Sequence, residues 1–341
     1  MRPQPHAFTG SPEDLRRHSR RDLLINIILG GLYTPVARRH TAEYLAAHTT
    51  IDGTPILPVH SRRSRWPAIL LVAAFIALRL ASELDLGPPL QLVIVCGVLL
   101  LPYLWGTVTA RTVGGVRWRQ LQPWFNPRWG EIYLQSWPLL LLGGAWAIAQ
   151  PRVAAIAPAP GSMDLRWIAA TAAAAAIAFP LVARQAFNYR RLRVTHTRVG
   201  GAPLAWNAGF ASYLRLWLFT AVAVLVTAVV PVLLLRQALF GSLTDLPETQ
   251  AALAYLAAVL LALLLSVPAR AWYEARVFIL TWDGLRLDDR IRIQCDIDVR
   301  AFVVARSADA WRTVMTLGLH HPRSVVAAYQ AKLAGLRAWS A

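Results

Sequence analysis

The sequence predicts an all-α polytopic membrane bundle: six transmembrane helices in three hairpin repeats, short interfacial helices near both ends, and a small cytoplasmic antiparallel β element. Three observations predict it. The 341 residues are 56% hydrophobic and only 16% charged, whereas a water-soluble domain uses about 25% charged residues to cover itself. Six stretches are long and apolar enough to cross a bilayer. Arginine supplies all of the 35 basic residues except Lys332, and it is abundant and scarce in alternate loops.

A span needs ~20 mostly apolar residues, because ~30 Å of hydrocarbon is crossed at ~1.5 Å per residue. The stretches are 66–84, 88–109, 132–150, 167–187, 213–235 and 251–273. Residues 1–65 carry 10 arginines, and the loop from Glu83 to Pro89 carries none. Residues 111–131 hold Arg111, Arg117, Arg119 and Arg128, whereas 151–166 holds only Arg152 and Arg166. Residues 188–212 hold Arg190, Arg191, Arg193 and Arg198, whereas 236–250 holds Arg236 alone. The tail from Arg270 carries 10 arginines and Lys332. The positive-inside rule then places both termini in the cytoplasm. It divides the chain into a cytoplasmic amino-terminal region (1–65), a membrane region (66–273) and a cytoplasmic carboxy-terminal region (274–341).

The net charge of +17 has the same origin, since basic loops face anionic headgroups. A nucleic-acid reader would not interleave its basic clusters with apolar runs of bilayer length. Membrane lipids, anionic headgroups included, are therefore the expected partners. Residues 1–21 lack the apolar centre of a cleavable signal. Cys96 and Cys295 are too few for a disulfide framework and read as small buried hydrophobes.

Two apolar stretches are too short to span. Leu23–Ala37 covers only ~22 Å as a helix and is interrupted by Gly30, Gly31 and Pro35. It reads as interfacial or re-entrant, with Tyr33 and Tyr44 at headgroup depth and Arg38 and Arg39 reaching lipid phosphates. Val314–Leu319, followed by His320, His321 and Pro322, is shorter still. Its turn at Gly318 and Pro322 reads as a second element lying on the surface.

A module recurs along the chain: a proline at an apolar stretch, a helical piece bearing arginine or tyrosine, and a polar tag ending in glycine. The copies are 35–53, 102–115, 180–201 and 268–284, with a degenerate fifth at 322–335. Each repeat is one hairpin of two spans, so every copy keeps one orientation and the symmetry is parallel. Pro102, Pro180 and Pro268 fall in the even-numbered spans and are candidate hinges. After the last span, alternation at Ile291, Ile293, Cys295 and Ile297 predicts a strand, within a sheet covering 277 to about 304. The Asp-Gly pairs 52–53 and 283–284 favour tight turns between strands. A helical pair near 307–315 and 322–338 follows, and residues 46–60 form a shorter hairpin that could join that sheet.

These features resemble a known family. Phe8–Gly10, Asn26, Gly31, Leu32, Tyr33, Pro35, Arg38, Tyr44, Thr50 and Gly53 match the opening motif of the YjgN family of bacterial inner-membrane proteins. Gly318, Leu319, Pro322 and Tyr329 match its second turn, and the likeness spans nearly the whole chain. Val36 and Arg323 stand where the family has an aromatic after the proline. The resemblance implies a multi-pass inner-membrane protein with no known substrate or reaction.

No catalytic arrangement, cofactor site or metal site is visible. His320 and His321 are adjacent but lack partner ligands at usable spacing, and no nucleophile elbow, phosphate loop or HExxH occurs. No Asp, Glu or Lys sits in the middle of a span, which argues against a proton-coupled carrier. Gln91, Thr107, Ser136 and Thr220 could line a pore, but ordinary hydrogen bonding is the favoured reading. The expectation is a non-catalytic scaffold or regulator, with a channel or facilitator for a small or anionic solute as the alternative and a membrane-embedded enzyme third.

Overall fold

The structure is a computed structural model that describes residues 2–3, 6–28, 33–59, 73, 87–156, 165–240, 248–287, 291–316 and 318–340. Gly30, Gly31 and all of the predicted span 66–84 except residue 73 lie outside the described residues. The helices are α1 (Pro12–Ile28), α2 (Thr34–Ala47), α3 (Gly87–Val113), α4 (Trp129–Gln135), α5 (Trp137–Ile156), α6 (Leu165–Thr195), α7 (Phe210–Val224), α8 (Val230–Phe240), α9 (Glu248–Leu265), α10 (Val267–Asp283), α11 (Val299–Met315) and α12 (His321–Ala334). Among the described residues, four helical stretches are long and apolar enough to cross a membrane: Leu90–Val113, Ala169–Thr195, Phe210–Leu235 and Ala252–Asp283. The bent pair Trp129–Gln135 and Trp137–Gln150, meeting at 61°, makes a fifth. In the window of Phe210–Leu235 only 6% is buried, so its side chains belong to an apolar solvent and not to a protein core.

Helix α7 passes into α8 through a π-helical turn at Leu225–Val229. Pro231 follows, and its ring would clash with the carbonyl four residues back. Widening the turn relieves that clash.

The chain forms two compact units. The first comprises Met1–Pro58, Val116–Leu121 and Ala205–Ala341, and the second Val59–Gly115 and Gln122–Leu204. In the first, the strands β1 (Arg2–Pro3), β2 (His6–Phe8), β3 (Thr49–Ile51), β4 (Thr54–Pro58) and β5 (Val116–Trp118) occur. β2, β3, β4 and β5 pair antiparallel in that order. In the second, β6 (Trp124–Phe125) pairs with β7 (Thr197–Val199), which turns back into the start of β8 (Ala202–Trp206), whose Ala205 and Trp206 belong to the first unit. The first unit also holds β9 (Leu285–Leu287), β10 (Ile291–Cys295) and β11 (Leu336–Ser340). There β10 lies between β9 and β11, and β11 takes β1 on its far side.

The carboxy-terminal expectations need correction. Residues 277–283 continue helix α10, and 299–304 begin helix α11, so the local strands are only β9 and β10. Ala275, Phe278, Ile279 and Trp282 recur at helical spacing in one packed cluster, which explains the first point. Asp283–Gly284 ends a helix and turns no hairpin; Asp283 Oδ1 instead accepts the Cys295 amide at 2.6 Å. Residues 336–340 leave the predicted final helix as strand β11. The 46–60 hairpin forms as β3–β4, but its partners are β2 and β5 rather than β9 and β10. Alternation holds where side chains are described: Cys295 and Ile297 are buried, and Gln294 and Asp296 are exposed.

Candidate functional site

Two helical hairpins close the first unit. In α1–α2, the ring N–H of His40 donates to the buried Asp22 carboxylate at 2.7 Å, and Thr34 Oγ1 donates to Asn26 Oδ1 at 3.0 Å. In α11–α12, His320 Nε2 lies 3.1 Å from the buried Asp309 Oδ1, and Arg306 donates to Ser324 Oγ at 2.7 Å. Both aspartates precede the proline that opens the second helix, Pro35 or Pro322, by the same thirteen residues. Burying a carboxylate is costly unless it is paired. Each therefore holds its hairpin closed through one histidine. Neither aspartate was singled out from the sequence, although the shared spacing to proline was legible there.

The hairpins also pack on each other. Leu15, Tyr44 and Val326 form one buried cluster, Thr49 Oγ1 meets the Tyr329 hydroxyl at 2.8 Å, and Arg323 pairs with Glu13 at 3.1 Å. That pairing holds the Glu13 carboxyl below its usual range. Tyr44 is therefore corrected from a headgroup position to a core one. Its hydroxyl donates to the Ser11 carbonyl at 2.9 Å and accepts the Ser11 amide at 3.0 Å, and burial raises its pKa.

The other expected residues fall as follows. Tyr33 precedes α2, with Pro35 in its first turn. Arg38 and Arg39 are exposed, and Arg39 pairs with Glu43 at 2.7 Å. Gly318 has φ +91° and donates its amide to the Thr313 carbonyl at 2.7 Å, closing α11. Pro322 is buried at the start of α12. The hairpin tips are apolar and exposed: Leu24 at 62%, Ile28 at 81%, Met315 at 75% and Leu319 at 66%. Of the candidate hinges, Pro102 and Pro180 lie inside continuous helices. Pro268 lies within the candidate span Ala252–Asp283, in the first turn of α10 just after Ser266.

A polar lock in the second unit was not foreseen. Where α4 bends into α5, helix α6 presents Gln185, Asn188 and Tyr189 on one face. Gln185 Oε1 accepts the Leu139 amide at 3.3 Å, Asn188 Nδ2 donates to the Gln135 carbonyl at 2.9 Å, and the Tyr189 hydroxyl meets Ser136 Oγ at 2.8 Å. Backbone groups freed at a helix break in an apolar medium need partners, and Gln185 and Asn188 supply them. Trp105 stacks on Tyr189 with centroids 4.0 Å apart.

Among the described residues no group of three or more His, Cys, Asp or Glu could hold a metal ion. Burial, with Asp283 nearby, raises the Cys295 thiol to about 11, so it stays protonated and unreactive at neutral pH.

Apolar spans joined by short strand hairpins define the class: a multi-pass helical membrane protein. The chain belongs to the family described as bacterial proteins of unknown function (DUF898), which matches residues 3–339. This agrees with the resemblance to the YjgN family. No curated protein and no solved structure matches the chain.

Proposed function

We propose that this protein is a non-catalytic membrane scaffold or regulator of the bacterial inner membrane. In this reading it has six spans in three hairpins and both termini in the cytoplasm, and the terminal hairpins sit at the lipid interface. One observation carries the choice over transport: three of the four polar side chains that could line a pore, Thr107, Thr220 and Ser136, are engaged within the protein. Thr107 donates to the Leu104 carbonyl at 2.9 Å, Thr220 to Leu216 at 2.7 Å and Ser136 to Ile132 at 2.7 Å. A hydroxyl bonded back to its own helix offers little to a passing ion.

The test is flux through vesicles holding the purified chain. Chloride, phosphate and glycerol permeation should equal that of empty vesicles, and flux above that level would replace this reading with the channel or facilitator. Orientation has its own measurement. A periplasm-dependent reporter should be active when fused after residue 86 and silent after residue 341.

A further inference from the structure

Helices α10 and α11 run antiparallel in a fixed register. Asp283 bonds the Cys295 amide at 2.6 Å, and nine residues earlier Glu274 faces Arg306 at 3.8 Å. Ala275 and Phe302 share one buried cluster between these ties. At ~1.5 Å per residue on both helices, continuing this register places Met315 level with about residue 264. That is well inside the candidate span Ala252–Asp283. The end of α11 therefore points into the membrane and its beginning points out.

At that beginning lies a groove of about 710 Å³ between Trp272 and Arg276 on one side and Arg300, Val303 and Val304 on the other. Its two acidic residues are already engaged. Asp298 caps α11 by accepting the Ala301 amide at 3.0 Å, and Asp296 faces Arg337 at 3.7 Å. Among the described residues neither Arg276 nor Arg300 forms an ion pair, and Arg276 lies over the Trp272 ring at 5.9 Å. From the groove an apolar stripe leads inward along one face of α11: Val304 (62% exposed), Trp311 (44%) and Met315 (75%). Arg300 to Met315 spans about 22 Å of helix, more than the ~15 Å that one leaflet contributes to a ~30 Å core.

Two guanidinium groups beside a helix N-terminus at the outer end, with a lipid-length apolar track at the inner end, have the polarity of a phospholipid. We propose that this groove binds one phospholipid, with its phosphate between Arg276 and Arg300 and one acyl chain along Val304, Trp311 and Met315. Guanidinium groups suit phosphate because they present paired donors in a plane. The helix dipole adds to the attraction. The proposal rests on the spanning assignment of Ala252–Asp283 and is independent of whether anything is transported.

The test uses the full chain in detergent with phosphatidylglycerol carrying a photoreactive group on one acyl chain. Diacylglycerol with the same chain is the control without phosphate. Irradiation with phosphatidylglycerol should label the peptide holding residues 303–315 at least about fivefold more than diacylglycerol does. Arg276→Ala with Arg300→Ala should remove that excess, while the same double change to Lys should keep at least half. Labelling of the α7 peptide holding Phe219 should not change, which reports that the fold is intact. Val304→Asp, at an exposed position, should cut the labelling without touching the arginines. Equal labelling by both lipids would overturn the proposal, as would a double Ala variant that labels like wild type. So would competition by millimolar inorganic phosphate equal to that by unlabelled phosphatidylglycerol, because a free-anion site would then suffice.

Discussion

Ser136-Trp137-Pro138 and Ser266-Val267-Pro268 put the same chemistry into two spans, with opposite results. Both serines are buried, and both prolines disfavour helical geometry in the residue before them. At Ser136 the helix bends by 61°, whereas α9 and α10 together count as one span through Ser266. The difference lies in what stands opposite. Gln185 and Asn188 take up backbone groups opened by the first bend, and Tyr189 holds the Ser136 hydroxyl. At the second, Ser266 Oγ donates to the Leu263 carbonyl at 2.7 Å, and the Arg270 amide donates to the Ser266 carbonyl at 3.0 Å. Ser136 makes the same kind of bonds, donating to the Ile132 carbonyl at 2.7 Å and accepting the Leu140 amide at 3.0 Å, so the side chains opposite are what differ. A Ser-x-Pro sequence permits a break, and the neighbouring helix decides whether it opens.

The largest expected effect tests this contrast directly. Gln185→Leu with Asn188→Leu leaves the Leu139 amide and the Gln135 carbonyl unpartnered, at about 1–3 kcal/mol for each group. The melting midpoint in detergent, followed by tryptophan fluorescence, should fall sharply. Ser266→Ala should move it little, because only a bond within one helix is lost. Equal losses at the two sites would end the comparison. A smaller effect is expected at the hairpin tip. Gly318→Val forces a β-branched residue to φ +91°, at roughly 1–2 kcal/mol, and should lower the same midpoint. The smallest effect is kinetic. In a Cys96→Ser background, maleimide labelling of Cys295 at pH 8 should be slow, since a thiol titrating near 11 holds only about a thousandth of its population as thiolate there. The rate should rise about tenfold per pH unit toward pH 10. Labelling at the rate of a free thiol would mean that β10 is not packed as described.

Much of this was legible in the sequence because bilayer thickness imposes a length that composition alone reveals. Five of the six predicted spans fall on helices or the bent pair, and the strand at 291–295 follows from period-two alternation. The hairpin at Asp52-Gly53 has both residues at positive φ, 52° and 69°, as its turn requires. What stayed hidden depends on long-range pairing. Residues 277–283 alternate too weakly to tell a buried helix from a strand, and burial against α11 settled the matter. The position of Tyr44 could not be foreseen either. A tyrosine beside arginines reads as interfacial until Leu15 and Val326 are known to cover it. Gln185, Asn188 and Tyr189 share a helical face in the sequence, but their partners are two backbone groups and the Ser136 hydroxyl at a bend that the sequence does not display.

The bond between Thr49 and Tyr329 joins residues 280 apart in the chain, and the strand at Arg2–Pro3 completes its pairing only with Trp339 and Ser340. A ribosome adds roughly 5–20 residues per second, so the amino-terminal hairpin emerges on the order of tens of seconds before its partner exists. Throughout that interval Leu15 and Tyr44 lack the cover that Val326 later provides. Closing the first unit must therefore be the final act of biogenesis, after every span has been inserted. A chain cut short before α12 would strand its beginning as an exposed apolar end, open to capture by quality control.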